Sequence, residues 1–140
     1  MNIQRISGLV VAMIALGVFA GHTAEVKRRQ LAQAFMRQKL FYTQNITEGL
    51  ALEKFELVSK GALRLREMRQ SDHWMLPNLV NSPEFREHAT NFFKSVDALF
   101  LASADKNLKK ATEAYQNVVA NCVDCHQSFR KEQRAKQRTN

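Results

Sequence analysis

The sequence predicts an all-α protein, an antiparallel up-down-up-down bundle of four helices. Three observations carry that prediction. Helix breakers are scarce in the 140 residues, with two Pro and five Gly, while Ala, Leu, Lys, Gln, Glu and Arg abound. Four stretches repeat apolar residues at spacings of three and four. The connections between them are short, which makes consecutive helices antiparallel neighbours. The length suits one domain, and 45% hydrophobic residues suit a packed core.

The first twenty residues stand apart. Met1 to Arg5 is short with one positive charge, and Ile6 to Ala20 is an apolar run. Val18 and Ala20 fit the −3 and −1 positions of a processing site, with cleavage before Gly21 or after Ala24. Residues 1–20 therefore read as a secretory signal, the competing reading being an uncleaved N-terminal anchor. The run is short for a membrane span, which needs about 20 apolar residues. Both readings place the remaining chain outside the cytoplasm, in the periplasm or otherwise exported. A bundle over residues 25–130 and a polar basic tail over 131–140 complete the expected organisation.

The first helix is expected from about Glu25 to Gly49. Met36, Leu40, Thr43, Thr47 and Leu50 form its apolar stripe, Ile46 widens it, and Gly49 ends it. The second runs from about Leu52 to Gln70 with Phe55, Val58, Ala62 and Leu65 inward. A loop from Ser71 to Ser82 holds His73, Trp74 and Pro77. Ser82-Pro83-Glu84 starts the third helix with a capping serine, a proline at the first helical position and an early acid. Phe85, Ala89, Phe92, Val96 and Leu99 line its inner face. The last helix begins near Asp105 to Asn107, and Leu108, Ala111, Tyr115, Val118, Cys122, Cys125 and Phe129 share its buried seam.

That seam carries the most specific motif of the chain, Cys122-Val123-Asp124-Cys125-His126, which uses both cysteines. C-x-x-C-H is the pattern that attaches haem covalently. Each thiol adds to a porphyrin vinyl group to make a thioether, and the histidine ligates the iron. Three rivals fit less well. A disulfide across this short loop would stabilise little and leave His126 without a role. A thioredoxin-like dithiol follows a strand, and no strand is expected. A zinc site needs further Cys or His ligands, and no second pair is present. One covalent haem c is therefore expected, held by Cys122 and Cys125, with His126 as proximal axial ligand.

A sixth ligand is sought among inward Met and His side chains. In an antiparallel bundle the first and fourth helices are neighbours. Met36 lies roughly 18 Å along from Glu25, and His126 roughly 12 Å back from Arg134, at 1.5 Å per residue. Met36 is thus the candidate sixth ligand, and a Met/His pair raises reduction potential. His88, near the start of the third helix, is the runner-up. His22 sits at the processing site. Arg130, one turn after His126, is a candidate partner for a haem propionate or for the helix C-terminus. Phe129, Tyr115 and Trp74 are candidate walls.

The net charge is +8, and Arg5 is the only charge in the first twenty residues, leaving +7 without them. The surplus gathers in Lys27-Arg28-Arg29 and from Arg130 to Arg138. Solvated helix ends account for such runs, and the functional reading is attraction to acidic docking surfaces on redox partner proteins or to an anionic membrane surface. No aromatic–basic interleaving points to nucleic acid.

With these residues in place, the chain resembles the class II cytochromes c, the cytochrome c-prime family, over roughly Ala24 to Arg130. The resemblance rests on the bundle pattern and on Cys122-x-x-Cys125-His126-x-x-Phe129-Arg130 near the C-terminus. It implies haem c within the bundle and His126 as proximal ligand. Some members leave the distal side open and bind NO or CO. Low-spin relatives use a Met from the first helix, and Met36-Arg37-Gln38-Lys39-Leu40 is similar to that subgroup. The long, Trp-containing second connection departs from the pattern. The resemblance also implies homodimers through the first two helices. The leading expectation is an exported monohaem cytochrome that passes single electrons between partners and is not an enzyme in its own right. The alternatives are a gas-binding cytochrome with an open distal site, and a helical module with a disulfide.

Overall fold

The computed structural model describes residues 3–71 and 82–139, with side chains from 24 to 71 and from 82 to 138. Among the described residues the main elements are four helices: α1 (Ile3–Ala51), α2 (Phe55–Glu67), α3 (Pro83–Ala104) and α4 (Leu108–Thr139). The described residues contain no strand. The chain divides into two compact units, residues 1–36 and residues 37–140.

The first unit is the N-terminal part of α1, which runs unbroken from Ile3 through the apolar segment and past Glu25. Phe35 is buried near its end. His22 is among the residues whose side chains are not described, and His73, Trp74 and Pro77 lie outside the described residues. Among the described residues no helix is long and apolar enough to cross a membrane.

The second unit is the four-helix bundle, and its contacts fix the direction of every helix. Gly49 lies against Val58, and Gly61 against Tyr42 and Ile46, so α1 and α2 run antiparallel. Arg66 reaches the Phe100 ring while Arg69 reaches the Phe93 ring, so α2 and α3 run antiparallel. Both arginines pair with Asp97, at 2.8 and 2.7 Å. Asn121 bonds to Asn91 and Ser95, and Ser128 to Glu84 and His88, so α3 and α4 run antiparallel. The Thr47 hydroxyl meets the Tyr115 hydroxyl between α1 and α4. The up-down-up-down order follows.

The hairpins between α1 and α2 and between α3 and α4 turn in the same way. Lys54 N–H donates to the Gly49 carbonyl and Glu53 N–H to Leu50, with Glu53 at φ 52°. Asn107 N–H donates to Ala102 and Lys106 N–H to Ser103, with Lys106 at φ 51°. Each is a Schellman closure with a non-glycine residue in the left-handed position. Gly49, expected to end the first helix, does not. The helix runs two residues further, and Gly49 serves close approach: a Cβ there would lie 2.8 Å from Val58 Cγ2 and 2.9 Å from its backbone nitrogen. The start of α3 is as expected, with Ser82 Oγ accepting from Phe85 N–H at 3.2 Å and Pro83 following. Asn107 caps α4 by accepting from Lys110 N–H at 3.0 Å.

Val58, Ala62 and Leu65, with Phe85, Phe92, Val96 and Leu99, are buried as expected, and so are Ala111 and Val118. The stripe on α1 is rotated. Phe35, Ile46 and Gly49 are buried, Lys39 and Tyr42 are half-buried, and Leu40 is 57% exposed. Within the second unit the inward residues fall at 39, 42, 46 and 49, a regular helical face whose first member is a lysine. An apolar pattern search passes over that position. Lys39 fits because its stem packs inward and its ammonium rests on aromatic faces.

Two stability predictions follow from the hairpins. A Cβ on Gly61 would stand 2.6 Å from Ile46 Cγ1 and 3.2 Å from the Tyr42 carbonyl oxygen. Gly61→Ala should therefore lose a net ~1–2 kcal/mol in urea unfolding despite its better helix propensity. Equal stability of variant and parent would refute the tight α1–α2 crossing. Lys106→Gly should gain about 1 kcal/mol in the same measurement by relieving the left-handed residue.

Candidate haem site

Packing along α4 loosens toward the C-x-x-C-H turn. Ala111, Ala114 and Val118 are buried, Cys122 and Cys125 are half-buried, and His126 is exposed. Phe129 is 36% exposed, so it borders the seam rather than filling it. Arg130 is exposed one turn beyond His126.

Two polar clamps from α3 hold this stretch. Before the motif, Asn121 Nδ2 donates to Ser95 Oγ at 2.9 Å, with the Asn91 carbonyl at 3.4 Å. After it, Ser128 Oγ donates to Glu84 Oε1 at 2.8 Å and lies 3.0 Å from His88 Nε2. Cys125 is four residues after Asn121 and three before Ser128, which puts it on the same face of α4, toward α3. The Ser128 hydroxyl is the main reason the Glu84 carboxyl titrates below its ordinary value, and His88 and Lys131 add to it. His88 is 21% exposed at its side chain, and its imidazole is engaged by Ser128, two residues past His126.

Cys122 is half-buried. Burial pushes its thiol above the ordinary value, and the Lys39 charge acts in the opposite sense. Lys39 Nζ lies 4.6 Å from the centroid of the Phe92 ring and 5.2 Å from that of Phe93. Sequence reasoning did not single out Lys39, because polarity alone argues for the outer face. The available signal was its place four residues before Thr43 and seven before Ile46. Met36 is half-buried at the end of the first unit. Tyr115, a candidate wall residue, is half-buried with its hydroxyl given to Thr47.

The residues present fit haem attachment. Neither cysteine is in a disulfide, and burial raises the value of the Cys122 thiol. They lie one helical turn apart, with an accessible imidazole directly after the second. Among the described residues no three His, Cys, Asp or Glu side chains converge on a metal ion. That leaves the zinc reading without support from these side chains.

The basic ends are partly neutralised within their own helices. Glu25 pairs with Arg28 at 3.2 Å and Arg29 at 2.9 Å, and Glu132 with Lys136 at 2.9 Å. The basic tail is helical through Thr139.

No curated protein and no solved structure matches the chain. A family model does: cytochrome C′ matches residues 78–130, which take in α3, the second hairpin and α4 through the motif and Arg130. With the all-helical bundle and the haem-attachment pentapeptide inside the matched span, this match supports an assignment to the cytochrome C′ family, whose members are c-type haem proteins and typically exported.

Proposed function

We propose that this protein is an exported monohaem c-type cytochrome that passes single electrons between partner proteins and transforms no substrate of its own. The observation that carries the reading is the Cys122-Cys125-His126 turn, clamped to α3 on both sides within the span that matches the family. Cys122 and Cys125 would hold the haem as thioethers, and His126 would ligate its iron. The haem supplies a one-electron ferric/ferrous couple. Met36 is the sixth ligand proposed, with His88 as its competitor. Arg130 is exposed and available to a propionate. Lys27 and Arg134 are exposed basic residues suited to an acidic redox partner. The apolar run at 6–20 is read as the export signal. The second reading, a cytochrome that binds NO or CO at an open distal site, is favoured by the engagement of His88 with Ser128, which occupies one candidate ligand.

Two experiments test this. Matured in a host with a cytochrome c assembly system, the full chain should keep its haem through acid–acetone extraction. Cys122→Ser with Cys125→Ser should release all of it, and a parent chain without haem absorbance would sink the account. Optical spectra then choose between the readings. A low-spin ferric form with a Met-to-iron charge-transfer band and a ferrous form indifferent to CO supports electron transfer through Met36, and Met36→Ala should abolish the band. A high-spin ferric form whose ferrous state shifts with CO decides for gas binding.

A further inference from the structure

Lys39 takes no part in haem attachment, yet it is built into the seam where attachment occurs. Its ammonium stands over the rings of Phe92 and Phe93, which are themselves 5% and 6% exposed and meet edge to face at 5.1 Å. Arg69, two residues past the end of α2, lies 5.0 Å from the Phe93 ring and is tied to Asp97. A lysine on a helix surface ordinarily extends into water. Turning inward costs it rotamer freedom and hydration, and two ring faces offset that cost through cation–π attraction. The position is set from three helices at once: α1 carries the side chain, α3 supplies both rings, and α4 is tied beside those rings by Asn121, the residue before Cys122, whose Nδ2 lies 3.4 Å from the carbonyl of Asn91, the residue before Phe92.

We propose that Lys39 is a tuning residue of the haem, a fixed cation in the seam lined by the first haem cysteine, which favours the ferrous over the ferric iron. The inference rests on the reading that haem is attached at Cys122 and Cys125. The physical reason is simple electrostatics. Oxidation adds one positive charge to the haem, and a cation held nearby opposes it. Lys39 would act on the balance of the couple and not as a catalytic residue.

The test is a spectroelectrochemical titration of the full-length holoprotein, comparing the parent chain with Lys39→Gln and Lys39→Arg. At a fixed ambient potential, Lys39→Gln should lower the ferrous-to-ferric ratio by about threefold to tenfold. Lys39→Arg should restore it, and covalent haem content should match in all three. Lys39→Met covers the case in which the glutamine variant folds poorly. It keeps an apolar stem over the rings and removes only the charge, so it must give the same fall. A ratio unchanged in Lys39→Gln and Lys39→Met overturns the proposal, as does an equal fall in Lys39→Arg, which would mark a merely structural role. Absence of haem from the parent chain would instead remove the reading on which the proposal rests.

Discussion

The antiparallel seam between α3 and α4 is the constraint on which the site depends. Apolar burial on α4 is complete only as far as Val118, and the turn that carries both cysteines lies beyond it. Past that point hydrophobic packing cannot by itself fix the orientation of the helix. Hydrogen bonds from Asn121 and Ser128 to α3 do so, one just before the pentapeptide and one just after. Such bonds contribute only about 1 kcal/mol each, but they are directional where burial is not. They set the rotation of α4, and with it which way Cys125 points. The chemistry is thus positioned by polar contacts at the edge of an apolar core.

Much of this was readable from the residues, and the exceptions have physical causes. Ser82-Pro83-Glu84 announces α3 because a cap, a fixed φ and an early acid act locally. The stripes of α2 and α3 were visible because their inward residues are purely apolar. The α1 stripe was misjudged by about one position, since its inward face includes Lys39, whose polarity conceals a buried stem. Gly49 looked like a terminator because glycine often is one. It is instead a close-approach residue, and Glu53 takes the left-handed position. No composition rule marks a glutamate for that conformation; the tertiary contact imposes it. The pentapeptide itself needed no fold to be recognised, since both thiols and the histidine are fixed by covalent chemistry.

Charge is organised locally as well. The acid Asp97 serves Arg66 of α2 and Arg69 just beyond it, each also stacked on an aromatic ring of α3. Glu25 gathers the two arginines that follow it. These pairs fix where charge is cancelled locally, while the net surplus, which already counts the acids, is unchanged. Lys27 and Arg134 are among the exposed basic residues.

The two Schellman turns lie at the same end of the bundle, since α1 and α3 both finish there. Cys122 is roughly 20 Å along α4 from that end, at 1.5 Å per residue. That end is thus stapled twice by three-residue turns. The two closures fix the register of α1 against α2 and of α3 against α4, so the height of Cys122 on its seam is counted from the turns, as a mark on a folding ruler is counted from its hinge.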